Sequence, residues 1–480
     1  MKNTQLFIVL LLLSLPASVF SQNENNVWYF GDHASMWFDE SGPVAYDSSS
    51  MRTLDNCTSI SNSAGQLLFY SNGINIWDRE HHIMPNGTGL LGDTSATNGA
   101  LAVKQPGHSD IYYLFTNDAF VGEYGFRYSI IDMTLNNGLG DVIIKNLLIL
   151  NPNTEKTLAI PHNNKQDVWI IAHEWGSDAF NAYLLSEHGL DVIPVVSHVG
   201  SIHIGGTYGT YNSMGQIAAT QNGLKIGLAI YDLGRFELFD FDNSTGIISN
   251  PIVINGHQNA WGVEFSPDNS KMYTTTWKSG SVYQFDISSN DETTINNSGT
   301  LVGEVTCPNP IYKAGFMQIG PDSCIYIAKF ESYNLAGIKF PNRLGIDCGF
   351  TDTIIDLVTH RCLAGLPTFV KTTNLISTDT NDVIDDKINK DIIQLYPNPT
   401  VDNLTIKINS TAESLLRIDL LKVNGQFINT LYSGTIKKGV SFMEYHMQDQ
   451  LHTGLQSGVY VLSFLLNNQH YLKKITYIND

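Results

Sequence analysis

The chain has 480 residues, 42% of them hydrophobic and only 15% charged, and 27 Lys and Arg stand against 46 Asp and Glu for a formal charge of −19. That surplus of negative charge repels phosphate backbones and argues against nucleic acid as a partner, while the length accommodates about two to four domains. With 40 Gly, 22 Tyr and 22 Phe the composition suits turn-rich β structure better than helical bundles.

Residues 1–21 read as a secretory signal peptide. Lys2 supplies the positive end, Leu6 to Leu15 an apolar run, and Val19 and Ser21 the small residues before cleavage at Gln22. The run is too short to span a bilayer, and no later stretch is long and apolar enough to do so. The expected product is exported, reaches the periplasm, and has no transmembrane segment after cleavage.

A three-strand pattern then recurs. It is clearest from Trp261 to Ile287, where one alternating stretch meets the turn Ser266-Pro267-Asp268-Asn269 and two more extended stretches follow. Third strands of this kind are expected at 74–78, 127–132, 181–186, 236–240, 281–286 and 335–340. Their ends lie roughly 46 to 55 residues apart, the spacing of β-propeller blades. Residues 27–30, 35–38 and 43–46 look like three strands without a first strand, and 365–370 like a first strand alone. Joining the two ends completes a seventh blade and leaves no open edge. The expectation is an all-β chain: a seven-bladed β-propeller over 22–371, closed by its N- and C-terminal strands. Residues 372–391 read as a solvated linker. Residues 392–480 read as a small Ig-like β-sandwich with a hairpin turn at Asn424-Gly425.

Five cysteines in an exported chain permit disulfides. Cys307–Cys324 and Cys348–Cys362 are favoured because they close short loops, with the other pairings of these four left open. Cys57 opens a strand-like run and reads as a small buried hydrophobe.

No nucleophile elbow or zincin motif occurs, so no catalytic residue is assigned. His81, His82, His198 and His203 are expected at the surface or hydrogen bonded, and no metal or cofactor is called. Asp78, Asp132, Asp240 and Asp286 recur at third-strand ends, which favours turn capping. Two patterns suggest binding. Aromatics recur in the loops between second and third strands: Phe120 or Tyr124, Trp175, Tyr231, Trp277, and Phe330 or Tyr333. Repeated on one face, they would form a platform for sugar rings or a protein. A second set, Lys156, His257, Trp261, Lys313 and Arg361, precedes first strands at the expected channel mouth, where its cations would hold an anionic group.

The last segment resembles the C-terminal sorting domain of the type IX secretion system of Bacteroidota, type A. The resemblance rests on Leu395-Tyr396-Pro397-Asn398-Pro399-Thr400, Gly425, Gly458-Val459-Tyr460 and Lys473-Lys474-Ile475. It implies that residues 392–480 engage the type IX machinery, which carries the protein across the outer membrane to be surface-anchored or released. The propeller is similar to a group of Bacteroidota surface proteins through Val27-Trp28-Tyr29-Phe30-Gly31, Leu68 to Gly73, Met84-Pro85-Asn86-Gly87, His173-Glu174-Trp175-Gly176 and Gly365 to Phe369. That likeness implies a fold and a location, not an activity. The combined expectation is a surface or secreted binding protein, adhesin-like, taking a glycan or an envelope protein. The alternatives are a secreted glycan hydrolase or lyase with its site at the channel mouth, and a scaffold of a surface or gliding apparatus.

Overall fold

The computed structural model describes residues 23–370 and 393–478, apart from 40–41, 47–48, 402, 411, 423–426, 447–456 and 467–468. The expected leader (1–21), linker (372–391) and hairpin turn at Asn424-Gly425 therefore lie outside the described residues. The chain divides into two compact units between Thr372 and Thr373. Among the described residues no helix is long and apolar enough to cross a membrane.

Among its described residues the first unit contains seven antiparallel sheets. The first pairs Val27–Phe30, Ala34–Asp39 and Gly42–Ala45, and the second pairs Thr58–Ser61, Leu67–Ser71 and Ile76–Asp78. The third runs Ala100–Lys104, Ile111–Asn117, Phe126–Asp132, Asp141–Leu150. The fourth runs Asn153–Pro161, Val168–Glu174, Ala179–Ser186, with Gly189–Leu190 and Val195–His198 both along the third strand. The fifth runs Ile217–Ala219, Lys225–Ile230, Arg235–Asp242, Ile247–Asn255. The sixth runs Ala260–Phe265, Lys271–Thr276, Ser281–Asp286, Thr300–Glu304, and the seventh Ala314–Ile319, Ile325–Lys329, Asn334–Ile338, Phe350–Asp356. Each expected third strand overlaps the third strand of a sheet.

Local chemistry explains the turns. In the sixth sheet the Asp268 carboxylate accepts from Ser270 N at 3.0 Å and from Ser266 Oγ at 2.6 Å, while Ser266 Oγ accepts from Lys271 N at 2.9 Å. Asn269 takes the left-handed conformation (φ 63°) that Asn tolerates. Asp78, Asp132 and Asp286 cap their turns in the same way, accepting from Glu80 N, Thr134 N and Ser288 N. Asp240 differs. It pairs with Lys225 at 2.6 Å, and Asp242 caps the turn through Ser244 N instead.

Packing joins the sheets in sequence. First strands of consecutive sheets lie against one another, and apolar clusters fill each boundary. Leu158, Ile160 and Phe180 of the fourth sheet, for example, meet Ile217, Ile226 and Phe239 of the fifth. The first sheet packs on both the second and the seventh: Trp28 lies 5.1 Å from Phe38, 5.5 Å from Tyr326 and 5.8 Å from Phe369, ring centre to ring centre. Such aromatic pairs contribute about 0.5–1.5 kcal/mol each beyond their burial. The segment from Arg361 to Thr368 is bonded on several sides. Asp32 N donates to Arg361 O (2.8 Å), Ala364 N to Leu54 O (2.8 Å), Phe316 N to Ala364 O (2.9 Å) and Thr368 N to Cys57 O (2.8 Å). A Cβ on Gly315 would collide with the Ala364 carbonyl, so only glycine allows that approach.

The expected disulfides Cys307–Cys324 and Cys348–Cys362 are not formed. The reason is geometric. Cys307 precedes the first strand of the seventh sheet, Ala314–Ile319, and Cys324 follows it, so they lie at opposite ends of an extended segment of about 20 Å. Cys348 and Cys362 likewise flank Phe350–Asp356. A bridge needs Cα atoms within about 7 Å. Cys57 is buried, as expected.

The second unit stacks two sheets. One is Ile393–Tyr396, Asn403–Ser410, Gly439–His446; the other is Phe427–Ile436, Ser414–Lys422, Gly458–Leu466, Gln469–Tyr477. Leu404, Ile406 and Ile408 alternate inward against Leu416, Ile418, Leu420, Leu462 and Phe464. Residues that open and close the segment meet: Thr400 N donates to Thr476 O, Ile478 N to Thr400 O, and Thr476 N to Asn398 Oδ1 at 2.8 Å. Tyr396 is exposed, Gly458 pairs with Tyr477, buried Tyr460 with Ile475, and Lys473 and Lys474 with Leu462 and Val461. Gly425 lies outside the described residues.

Candidate binding site

Strand direction alternates within each sheet. Turns between second and third strands therefore share an end with the connections from one sheet to the next first strand. Aromatic residues gather at this end. Tyr231, between the second and third strands of the fifth sheet, lies 5.5 Å from Trp261 at the head of the sixth. Trp261 stacks on Trp277 at 4.7 Å and 17°, and Trp277 contacts Tyr312 (5.3 Å) and Phe330 (5.2 Å) of the approach to the seventh sheet and its own turn. In the other direction Tyr231 meets Tyr211 at 6.0 Å, and Tyr211 meets both Tyr208 (5.3 Å) and Phe120 (5.8 Å). The row thus runs from the third sheet to the seventh.

Its layers differ. Trp261, Trp277 and Tyr231 are buried at 4%, 7% and 4% exposure and form the floor, with Met214 and Ala364. Phe120 (40%), Tyr312 (36%) and Tyr208 (87%) stand above it. Burial, followed by the charge of Asp232 and the neighbouring phenols, pushes the Tyr231 hydroxyl well above its ordinary pKa, and Tyr211 shifts the same way. Trp261 Nε1 is buried with no hydrogen-bond partner. The row is an electron-rich apolar surface edged with phenol hydroxyls.

The structure brings together Phe120, Tyr231, Trp277 and Phe330 of the first aromatic set. Trp175 is half-buried and stands apart, its backbone N donating to Pro152 O at 3.3 Å. Tyr124 and Tyr333 are exposed. Tyr208, Tyr211 and Tyr312 complete the row from the connecting loops, where the sequence pattern did not look.

The second set does not converge. Trp261 belongs to the aromatic floor. Arg361 pairs with Asp32 at 2.9 Å, and Lys313 Nζ reaches Ser279 O at 3.4 Å. His257 is packed between Phe236, Tyr283 and Phe285. Lys156 is fully buried rather than at a channel mouth, donating to Ser213 O at 2.8 Å. Its neighbour Glu155 is equally buried and accepts from Thr97 N (2.7 Å), Thr97 Oγ1 (2.8 Å) and Phe120 N (2.9 Å). Burial pushes the Glu155 carboxyl up and the Lys156 ammonium down, so both lean toward the neutral form.

Beside Lys156, His173 and His203 stack at 3.9 Å and 23°, both at 0% exposure. None of their four ring nitrogens has a hydrogen-bond partner. The expectation that His203 would be exposed or hydrogen bonded is thereby overturned. His81 meets Tyr70 Oη at 3.0 Å and His198 pairs with Asp178 at 2.8 Å, while His82 is largely exposed, 4.0 Å from Glu80. Among the described residues no three His, Cys, Asp or Glu side chains are grouped to hold a metal ion.

Comparison with known proteins assigns the second unit. Residues 394–478 match the secretion system C-terminal sorting domain family, and this part of the chain is such a domain. The protein is exported by the type IX secretion system across the outer membrane, to the cell surface or the extracellular space. The first unit is β-propeller-like. Solved structures similar to the chain include a functionally unknown protein from Desulfotomaculum acetoxidans (TM-score 0.38, 12% identity, covering 81% of this chain and 99% of that one). Kluyveromyces lactis Hsv2 is another (TM-score 0.39, 10% identity, 66% and 90%). A third is PorZ, described as an essential surface component of the type IX secretion system of Porphyromonas gingivalis (TM-score 0.35, 11% identity, 93% and 63%). No curated protein sequence matches the chain.

Proposed function

We propose that the protein is an extracellular glycan-binding protein whose contact surface is the aromatic row. The row is carried by a seven-bladed ring over residues 22–371, which the segment 361–369 closes. A linker at 372–391 joins the ring to the sorting domain at 392–480. The observation that supports binding is that rings of the third, fifth, sixth and seventh sheets, joined by Tyr211 of the connection between the fourth and fifth, touch each other across sheet boundaries instead of each covering its own sheet. Sugar rings present apolar faces and hydroxyl edges, which suit exposed aromatic rings with phenol hydroxyls between them. Burial lifts the Asp55 carboxyl well above its ordinary pKa and raises that of Glu155, and both are fully buried, where no substrate reaches. This favours binding over glycan hydrolysis.

The test is retention of the full chain, without its leader, on immobilised β-glucan, mannan, chitin and lipopolysaccharide. Tyr208→Ala and Tyr312→Ala should each weaken retention about tenfold, the effect of losing roughly 1.4 kcal/mol of ring contact. Trp175→Ala, off the row, should not. Retention on none of the four, or equal loss in all three variants, would overturn the reading. For delivery, removing 392–480 should leave the propeller in the periplasm, as measured by surface protease access.

A further inference from the structure

We propose that His173 and His203 form an acid-released latch that seats the Tyr208–Tyr211 half of the aromatic row. The latch deepens the binding reading by giving that surface a pH response. His203 lies on a strap, residues 199–213, that crosses from the fourth sheet to the fifth and carries Tyr208 and Tyr211. Along it Ile202 and Ile204 point outward at 54% and 59% exposure, while His203 between them is wholly inside. The polar residue is thus the one inserted. It lies flat on His173 of the second strand of the fourth sheet, and Phe180 of the third strand closes the edge at 4.5 Å.

The strap is anchored at both ends, by Val199 N on Asp178 O (3.1 Å) and Ser201 N on Glu237 (3.2 Å) before the stack and by Lys156 Nζ on Ser213 O (2.8 Å) after it, and further bonds lie nearer to it. His203 N donates to Ser177 O (3.1 Å) and Gly176 N to His203 O (2.9 Å). Thr207 N donates to Asp232 Oδ2 (2.5 Å), and Asn212 Nδ2 to Ile204 O (2.8 Å). Between His203 and Tyr208 stand Gly205 and Gly206, at φ 72° and 90°, where only a hinge residue of this kind is comfortable.

Uptake of a proton by either imidazole places a cation in this pocket. The groups facing it oppose that charge or are already engaged. Burial does most to lower the proton affinity of both rings; Lys156, from the first strand of the fourth sheet, adds to it at His173, and at His203 the facing His173 and then Lys156 do. Asp178 favours the charge on His173 but is committed to His198. The Glu174 backbone, at the end of the strand that carries His173, favours the charge on that ring, but less than burial and Lys156 oppose it. Glu155 is occupied by Thr97 and Phe120, and Glu237 of the fifth sheet by Ser201, beside Arg235. Opening the strap hydrates both rings, so each takes a proton only in the open form. Opening therefore becomes more favourable as pH falls below the ordinary imidazole value of about 6.5.

Hydrogen exchange of the Gly176 and His203 amides reads the latch directly, with rates corrected for the intrinsic effect of pH. From pH 7.5 to 5.0 the opening constant should rise roughly a thousandfold, approaching two tenfold steps per pH unit below pH 6. Amides of Ala260–Phe265 should stay protected. Replacement by His173→Phe with His203→Leu should flatten the response. A rise under tenfold in the unmodified protein, a slope below one proton, or an undiminished response in the double variant would overturn the latch. The proton slope needs no variant, so it decides even where the variant fails to fold. Retention on the four glycans at pH 5.0 should fall with opening. If nothing is retained at pH 7.5, the binding reading fails while the exchange slope still decides the latch.

Discussion

The two ends of the sheets are built on different principles. At one end, between first and second or third and fourth strands, short polar side chains close the turns. Asn62 accepts from Ala64 N and Gln66 N, Asp132 from Thr134 N, Asp242 from Ser244 N, Asp268 from Ser270 N and Asp286 from Ser288 N. Each contact spans two to four residues and serves its own sheet. Apolar side chains occur there too, Leu344 and Ile346 among them, and single rings cross between sheets, as where the Trp169 indole N–H donates to Asn243 O at 2.9 Å and Phe69 meets Tyr112 at 5.4 Å. At the other end Tyr211, Tyr231, Trp261, Trp277 and Phe330 link the sheets in a row. One end closes each sheet with polar turns and joins neighbours by separate hydrogen bonds, such as Asn222 N to Asn269 Oδ1 (3.1 Å) and Asp268 N to Asn342 Oδ1 (3.1 Å); the other joins neighbours through a continuous row of rings, and it is there that a shared surface arises.

The contrast predicts a ranking of substitutions. Trp261→Ala removes the stacked floor and should cost about 3–5 kcal/mol in urea unfolding. A cost near 1 kcal/mol would mean that the row does not couple the sheets. Acid comes next. Burial, with Lys156 adding, holds His173 down to about 3, and His203 is held well below its ordinary value. A base whose folded pKa is depressed contributes stability above the unfolded value near 6.5 and loses it as pH falls toward the folded one. Each imidazole should therefore remove about 1.4 kcal/mol per pH unit between those limits. The raised carboxyls of Asp55, Glu155 and Glu237 act in the opposite sense, so the slope should steepen if Glu155→Gln removes one of them. Asp268→Ala, at the local end, should cost about 1 kcal/mol by thermal melting, as one capped turn is lost. Tyr208→Ala should change stability by less than about 0.5 kcal/mol, because an exposed ring contributes little to folding. A larger effect would place Tyr208 in the floor.

Third strands were legible because they alternate and often stop at Asp, as at Asp78, Asp132, Asp242 and Asp286. Fourth strands were not. Asp141–Leu150, for instance, exposes Ile143, Ile144, Leu147 and Leu148, and several register shifts erase any period of two. Half of the aromatic row followed from position alone, since turns between second and third strands recur at regular spacing. Tyr208, Tyr211 and Tyr312 sit in connections of variable length, where no register predicts them. Lys156 looked like a mouth residue because it precedes a first-strand core, yet its strand is buried along nearly its whole length. His173 and His203 are thirty residues apart, and nothing local announces that one ring will lie on the other. The disulfide expectation failed for the converse reason: proximity in sequence was undone by an intervening extended strand.

The bonds between the beginning and end of the propeller unit set a timetable. Asn56 Nδ2 donates to Leu366 O at 2.9 Å and Thr58 Oγ1 to Thr368 O at 3.1 Å, each across 310 positions. A chain made from its N-terminus at about 5–20 residues per second leaves these groups waiting roughly 15 to 60 seconds for their partners. Throughout that interval Cys57, Tyr29 and Trp28 lack the cover that Leu366 and Phe369 later supply. The newborn protein is most exposed to misassociation at its oldest residues, and any insertion between positions 58 and 366 lengthens the wait.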